Sequence, residues 1–206
     1  MGDIDIVTEV GFDLERLNFD KEQKSLLLEK VDIVADICDN GKTLRHSVNV
    51  ARTFRDVAGE YGLNESLCYA SGILHDIGKF IIDPYVLNFE GKYTDEMYKE
   101  MERHVDSAVL SNLLGDDLRF YRDVARRHHC SQEHRSYPKG FMNNLYGEYG
   151  EMVWRYALGL AKNDFEDAMN RNDGGVSSGL SEERQYNILD NSWKPLDILC
   201  NLKRLD

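Results

Sequence analysis

The stretch "ILHDIGK", residues 73–79, places a histidine and an aspartate side by side at the end of an apolar run. The residues before it have helical periodicity, since Leu67, Ala70, Ile73 and Leu74 lie on one face of a helix. Asn64 can cap the start of this helix. Lys79 follows Asp76 by three residues, about one helical turn, so its ammonium can face the same cavity. The stretch therefore predicts a helix that brings an imidazole, a carboxylate and a cation together.

Helical patterns continue on both sides of this stretch. Apolar residues recur at spacings of three and four from 46 to 61, and Asp83-Pro84 opens a short helix over 83–87. Residues 94–115 begin with acids and end at Gly115, which are start and stop signals for a helix. Further helices are predicted over about 117–129, 148–169, 181–189 and 193–204, with loops at about 88–93, 131–144 and 171–179.

The overall pattern is typical of one all-α domain. Strand alternation is scarce, and 206 residues suffice for a proper hydrophobic core. We predict a single domain over 21–206, preceded by an acidic lead-in over 1–20 that is partly disordered.

Charge and cysteine content restrict the function and the compartment. A net charge of −12 argues against nucleic-acid duplexes as partners, since these need a basic surface. The four cysteines form no CxxC pair, which favours reduced thiols in the cytoplasm. The N-terminus has no signal-peptide pattern, and no apolar run approaches the length of a membrane span.

The remaining histidines also adjoin predicted helices. His46 opens an early helix, His104 lies within the 94–115 helix, and the His128–His129 pair ends the next one. Asp164 falls inside an otherwise apolar helix. Taken singly, each histidine is more often a hydrogen-bonded core or surface residue. Together, imidazoles and carboxylates on neighbouring helices are what a helical metal site requires.

These residue types favour two metal ions. A carboxylate between two histidine-rich clusters can bridge two divalent cations, and Asp76 is the natural bridge because it adjoins one ligand in sequence. A water between such ions would lose much of its proton affinity and become a nucleophile near neutral pH. An ammonium from Lys79 would stabilise charge that builds on a phosphoryl oxygen.

At this point the sequence resembles a known family. The order His46, His75-Asp76, Asp164 is similar to the HD superfamily of metal-dependent phosphohydrolases. The additional histidines look like its HD-GYP branch, bacterial cyclic di-GMP phosphodiesterases. The segment "LHDIGKFIIDPYVLNFEGKYTDEMYKEMERH" (74–104) follows that branch without a gap, and "NDFEDAM" (163–169) and "WKPLDIL" (193–199) look like its "ADVFDAL" and "FDPELV" elements. The resemblance covers about residues 40–200 and implies an HD-domain helical bundle with a metal site between core helices.

The resemblance also implies roles for individual residues. It implies two divalent ions, with iron or manganese favoured over magnesium, nickel, cobalt or zinc. Asp76 and Lys79 would be catalytic, with Lys79 contacting the scissile phosphate. The implied metal ligands are His46, His75, Asp76, His104, His128, His129 and Asp164, of which His129 is either a ligand or a phosphate contact. The implied substrate contacts are Lys79, Lys92, Tyr137, Lys139 and Arg171.

The chain departs from the branch mainly in the loop that follows His129. Where the branch reads His-His-Glu and then Asp-Gly-x-Gly-Tyr-Pro, Tyr137-Pro138 survives, but the glutamate, the aspartate and the two glycines are replaced by Cys130, Glu133, His134 and Ser136. A loop without those glycines has a different shape. His134 matches no ligand position and is read as a loop-surface or specificity residue.

Two further departures concern the number of metals and the substrate. Lys42 stands where members with a third metal have glutamate, which favours two ions. Arg171 is the one basic residue left from an "RPYR"-like element, which weakens the cyclic di-GMP interpretation because arginines usually grip a second phosphate.

The leading hypothesis is a binuclear-metal phosphohydrolase that cleaves a phosphodiester such as a cyclic dinucleotide. The alternatives are a nucleotide phosphomonoesterase, a di-iron oxygenase on the same scaffold, and a non-catalytic nucleotide sensor. The expected partner is a small phosphorylated substrate that derives from a nucleotide. We expect neither a membrane nor a nucleic-acid duplex as a partner, and the protein can form a homodimer.

Overall fold

The computed structural model describes residues 5–129, Tyr137 and residues 147–170. Strands are absent from these residues, which confirms the all-α class. The helices are α1 (Ile6–Glu15), α2 (Lys21–Ala35), α3 (Lys42–Asp56), α4 (Ala58–Tyr61), α5 (Glu65–Leu74), α6 (Pro84–Leu87), α7 (Asp95–Glu102), α8 (Ser107–Leu114), α9 (Arg119–Ala125) and α10 (Gly147–Asn170). Two 3₁₀ turns, Ile77–Ile81 and Arg103–Val105, complete the description.

Helices α3 and α5 pack tightly against each other in the centre of the molecule. The side chain of Asn64 caps α5 as predicted, accepting a hydrogen bond from the Leu67 backbone N–H at 3.1 Å. Gly72 makes the close approach possible, because a Cβ atom at this position would lie 2.4 Å from Cα of Ala51 on α3. The His75-Asp76 pair at the end of α5 is thereby held beside α3.

A second buried cluster joins α3 to α9 and α10. Phe54 of α3 is fully buried and packs with Val124 of α9 and Val153 of α10. The hydroxyl of Tyr156 on α10 accepts a hydrogen bond from the Asn64 backbone N–H at 2.8 Å. The four helices α3, α5, α9 and α10 therefore surround one region, where the predicted site residues converge.

The N-terminal segment differs from the expected lead-in. Residues 6–15 form α1, whose Val10 and Leu14 are buried in the main core. The Asp13 carboxylate accepts hydrogen bonds from Arg52 at 2.8 Å and from the Tyr69 hydroxyl at 3.0 Å. The physical reason is that α1 is amphipathic despite its acidity, and its apolar face covers α2 and α3.

The predicted helix over 94–115 is interrupted in the structure. Thr94 caps α7, but Asp106 has extended backbone angles (φ −62°, ψ 138°), and its side chain accepts a hydrogen bond from the Ala108 N–H that starts α8. Aspartate is a strong N-cap residue, and here it starts a new helix instead of continuing the old one. His104 consequently lies in a 3₁₀ turn between two helices and not inside one helix.

The next predicted helix, 117–129, is also shorter than expected. It is confirmed only as α9, which ends at Ala125, so that His128 and His129 lie in the turn that follows. The Arg127 guanidinium donates to the Asp123 backbone carbonyl at 2.7 Å, satisfying an acceptor at the helix end.

Helix α10 confirms the prediction over 148–169. The helices predicted over 181–189 and 193–204, and the loops at 131–144 and 171–179, lie outside the described residues apart from Tyr137. Within the described part of the chain, no helix combines the length and the apolar character needed to cross a bilayer.

Candidate metal centre

Three buried histidines are oriented by the same local contact. The Nδ1 atoms of His75, His104 and His128 lie 2.7, 2.6 and 2.6 Å from the backbone carbonyl three residues earlier. A carbonyl oxygen can only accept, so each Nδ1 carries the proton, and in a neutral ring Nε2 holds the lone pair. Such a backbone contact fixes the tautomer and the ring direction of a metal-ligating histidine.

The opposite nitrogen of each of these rings is buried without a partner. None of the three Nε2 atoms has a hydrogen-bond partner among the described residues, although all three side chains are almost completely inaccessible to solvent. Buried polar atoms are nearly always satisfied, so three convergent exceptions indicate a missing ligand. A divalent cation is the group that three imidazole lone pairs would bind.

Two carboxylates face these nitrogens. Asp76 turns Oδ2 toward His75, at 3.3 Å from Nε2, and Oδ1 toward His104, at 3.5 Å from Nε2. Asp164 on α10 places Oδ1 2.9 Å from Nε2 of His46 and 3.7 Å from Nε2 of His75. Each carboxylate thus lies between two imidazoles, an arrangement that a metal ion would stabilise.

The potential ligand atoms form overlapping groups. Within each group, one donor atom from every residue lies within 4.8 Å of the others. The groups in the described residues are His46, His75 and Asp76; His75, His128 and Asp164; and His104, His128 and His129. The groups overlap, because His75 and His128 each belong to two of them.

The electrostatics divide the site into two halves. Burial opposes protonation of His75, but the carboxylates of Asp76 and Asp164 outweigh it and raise the pKa of His75 to about 10. Burial lowers the pKa of His104 to about 4 and that of His128 to about 3. The half beside the carboxylates thus favours positive charge, whereas the histidine-only half stays neutral and available as a ligand.

The carboxylates remain ionised despite their burial. Burial works against the charged form of Asp76, but the positive charges of His75 and Lys79 hold its pKa well below the usual range. Burial opposes ionisation of Asp164 in the same way, and the adjacent imidazoles of His46 and His75 outweigh it, so its pKa is also well below the usual range. Both carboxylates are therefore negatively charged near neutral pH.

Lys79 reaches into the site and is not a fully solvated surface lysine. Its ammonium donates to Oδ2 of Asp76 at 2.5 Å, and its side chain is only 21% exposed. Gly78 brings this 3₁₀ turn against the turn that carries His104, because a Cβ atom on Gly78 would lie 1.8 Å from the His104 carbonyl oxygen. The glycine of "HDIGK" thus sets the distance between two parts of the site.

Asp167 is a site residue that the sequence analysis missed. Its Oδ2 accepts a hydrogen bond from Nδ1 of His46 at 2.6 Å, while Nε2 of the same ring faces Asp164. A carboxylate behind a metal-ligating histidine fixes the ring and increases its basicity. The sequence signal was available, because residues 164 and 167 are three apart and therefore share one face of α10.

The predicted substrate contacts are only partly brought to this region. The ring of Tyr137 lies 4.5 Å from that of His129 and 6.0 Å from that of His104, measured between centroids. Lys92 is exposed on the segment between α6 and α7. Lys139 and Arg171, like Cys130 and His134, lie outside the described residues.

An all-α bundle with a buried cluster of histidines and aspartates defines a candidate metalloprotein. The family model described as "HD domain" matches residues 43–169, which include all seven predicted ligands. The chain belongs to the HD domain family. The resemblance inferred from the order of His46, His75-Asp76 and Asp164 is confirmed at this level.

Two curated proteins of Vibrio cholerae are similar to this chain. The protein named 3'3'-cGAMP-specific phosphodiesterase 1 is 32% identical over 103 residues, which are 48% of this chain and 23% of that protein. The protein named 3'3'-cGAMP-specific phosphodiesterase 2 is 25% identical over 173 residues, which are 70% of this chain and 32% of that protein. The matched region thus spans about a quarter to a third of the length of these relatives.

Proposed function

We propose that the protein is a metal-dependent phosphohydrolase that cleaves a phosphodiester of the cyclic-dinucleotide class. The observation that carries the proposal is the convergence of three partnerless Nε2 atoms and two ionised carboxylates beside a lysine. Membership of the HD domain family and the names of the two Vibrio relatives support the same class of reaction.

The residues of the site fit two divalent cations. His46, His75 and Asp164 would hold one ion, and His104, His128 and His129 would hold the other. Asp76 is suited to bridge them, because its two oxygens face different histidines. When bound, such ions lower the pKa of a coordinated water and neutralise charge on phosphoryl oxygens.

The protein's own groups would orient the substrate and stabilise charge. Lys79 is held at the site by Asp76, so its ammonium can move a short distance to a phosphoryl oxygen without losing contact with the carboxylate. The backbone contacts of His75, His104 and His128 keep the imidazoles aligned before substrate arrives, which avoids reorganisation during the reaction. The Lys79 ammonium at the site favours a reaction on a phosphate substrate over the alternative, the activation of oxygen by a di-iron pair.

The two relatives favour a nucleotide-derived phosphodiester. Both carry names that state specificity for 3'3'-cGAMP, a cyclic dinucleotide. The absence of the arginine-rich element and the altered residues after His129 argue against assuming cyclic di-GMP itself. We therefore place cyclic dinucleotides first as substrates and nucleotide phosphomonoesters second.

The test combines metal analysis with a substrate panel. Purified protein reconstituted with manganese or iron should hold about two ions and open a phosphodiester in a panel of cyclic dinucleotides, linear dinucleotides, nucleotides and generic phosphodiesters. Asp76→Asn should reduce turnover by at least about 100-fold and lower the metal content, because even an outer partner of a metal ligand is worth 10–100-fold.

Asp123→Asn is the matched control, since Asp123 is also a buried aspartate but pairs with Tyr149 on α10 and with Arg119 and Arg127. It should leave metal content unchanged. Full activity and metal content in Asp76→Asn, or nucleotide binding without turnover across all metals, would contradict the proposed function.

A further inference from the structure

A row of four aromatic side chains lies on the segment between the Lys79 turn and His104. We define the aromatic row as Tyr85, Phe89, Tyr93 and Tyr98, which belong to α6, the segment after it and the start of α7. Successive ring centroids are 5.7, 6.0 and 5.3 Å apart, and neighbouring rings are inclined by 51°, 60° and 55°. The rings thus form a continuous surface of aromatic edges and faces.

The row is anchored on one side and open on the other. Phe89 and Tyr93 pack on a small buried cluster of Ile82, Val86 and Met97. The Tyr93 hydroxyl donates to the Val86 carbonyl at 2.5 Å, which fixes its ring. Tyr85 is 67% exposed, and Phe89, Tyr93 and Tyr98 retain partial exposure. A rigid, partly exposed aromatic surface can bind a flat ligand at low entropic cost.

The row packs beside the turn that carries the candidate phosphate contact. Ile81 of the Lys79 turn and Tyr93, the third ring of the row, both pack on the buried cluster of Ile82, Val86 and Met97. The ammonium of Lys79 also counters part of the rise that burial causes in the pKa of Tyr93. Lys79 itself bonds to Asp76 at the centre of the site. The middle of the row therefore lies beside the turn of the cation that would meet a phosphate, and the row extends from there onto α6 and α7.

The charge of the surroundings narrows the class of ligand. The chain has a net charge of −12, and the exposed acids Asp83, Glu90, Asp95 and Glu96 flank the row. An anionic ligand would therefore be attracted by Lys79 at the site and by the exposed Lys92, which adjoins Tyr93 in sequence. A ligand that matches both features has a phosphate and a flat aromatic group joined by a short spacer. Nucleobases satisfy this requirement and stack readily on aromatic side chains, regardless of base identity.

We propose that the aromatic row is the nucleobase-binding subsite of the enzyme, and that it holds the base of a substrate whose phosphate lies at Lys79. The inference rests on the proposed function, because that function supplies the phosphate. The nucleobase is then recognised by the part of the chain from α6 to the start of α7, which follows the catalytic lysine in sequence. Stacking tolerates different bases, so the row contributes affinity for nucleotides in general.

The test compares a ligand with a base to one without. In protein equilibrated with Mn²⁺, calorimetry should show that GMP binds about tenfold or more tightly than ribose 5-phosphate. Tyr85→Ser and Phe89→Leu should each reduce this ratio toward one and leave ribose 5-phosphate affinity unchanged. Tyr85 is solvent-exposed, so its variant tests the row without affecting folding, whereas thermal unfolding is measured alongside for Phe89→Leu.

Phe12→Leu is the matched control, because Phe12 is a 55% exposed aromatic residue on α1, outside the row. It should keep the wild-type ratio. Equal affinities for the two ligands in the wild type, or an unchanged ratio in both row variants, would overturn the subsite. A GMP preference that depends on the row in a protein that cleaves no phosphodiester would support the subsite and reject the proposed hydrolysis. Failure of both ligands to bind would reject both.

Discussion

At the scale of single residues, the site depends on which nitrogen of each imidazole is free. Backbone carbonyls set this choice for His75, His104 and His128, and a carboxylate sets it for His46. A carboxylate is a stronger acceptor than a carbonyl, so the contact behind His46 should hold its ring more firmly than the contacts behind the other three. Among the groups that contact the Nδ1 atoms of these four histidines, Asp167 should therefore have the greatest influence on metal affinity.

We expect Asp167→Asn to lower metal affinity by about 10- to 100-fold, because the amide still accepts the His46 proton but carries no charge. Asp167→Ala should lower it further, since the ring then loses its partner. Titration of the metal-free protein with Mn²⁺ or Zn²⁺ measures the effect directly. Glu166→Gln on the same helix is the control, as Glu166 pairs only loosely with Lys162 at 3.8 Å. Equal affinities in Asp167→Asn and wild type would show that the contact is merely structural.

At the scale of secondary-structure elements, the site is assembled by short turns placed between helices. His104 lies in one 3₁₀ turn and Lys79 in another, and the two turns touch through Gly78. A 3₁₀ turn is tighter than an α-helix and changes the direction of the chain within a few residues. This is how the candidate ligands at the end of α5 and in the region between α7 and α8 come to face one another.

Gly78→Ala tests this contact. The new methyl group would meet the His104 backbone, which cannot rotate away, so we expect unfolding free energy to fall by about 1–3 kcal/mol. Because His104 must move with its turn, metal affinity should fall as well. Chemical denaturation and metal titration measure the two effects.

Gly11→Ala on α1 is the control, since a Cβ atom there meets nothing within 4 Å. This substitution should stabilise the helix by about 0.5–1 kcal/mol. Wild-type stability and affinity in Gly78→Ala would contradict the packing described for the turns.

At the scale of the whole molecule, helices far apart in sequence depend on the same buried charges. Asp164 on α10 contacts His46 on α3 and His75 at the end of α5. A metal ion at this position would link the N-terminal and C-terminal parts of the described bundle. Metal binding and folding stability should therefore be coupled.

We expect divalent metal to raise the melting temperature, by an amount equivalent to about 2.7 kcal/mol at a metal concentration 100 times Kd.

At a fixed metal concentration, this stabilisation should grow with pH. His75 has a pKa of about 10 without metal and is protonated at pH 7, so binding must displace about one proton, and apparent affinity should rise about tenfold per pH unit between pH 6 and 8.5. His104 and His128, with pKa values of about 4 and 3, add no further dependence in this range. Thermal scans with metal and with chelator across this pH range measure both effects, and a pH-independent shift would show that metal binding displaces no proton from His75.

Several features of the site could be predicted from the sequence because they are local. Residues 73–79 carry the His-Asp pair and the lysine, and Asn64 and Asp83 mark helix starts by their capping chemistry. The helix predicted over 148–169 is confirmed as α10. Capping and amphipathicity are properties of neighbouring residues, which is why sequence alone was enough for them.

Other features were decided only by packing between distant segments. The start and stop signals of 94–115 did not show that Asp106 would begin a separate helix, nor did the acidity of residues 6–15 show that Val10 would be buried. Periodicity reports one face of a helix but not whether that face finds a partner or where a turn redirects the chain.

The sequence by itself determined the all-α class and the residue types of a metal site, since helix signals and ligand chemistry are both encoded locally. Tertiary structure alone decided that Asp76 turns its two oxygens to different histidines and that Asp167 stands behind His46. These are distances between side chains on separate elements, and they exist only after α3, α5 and α10 have packed around one buried cluster of charge.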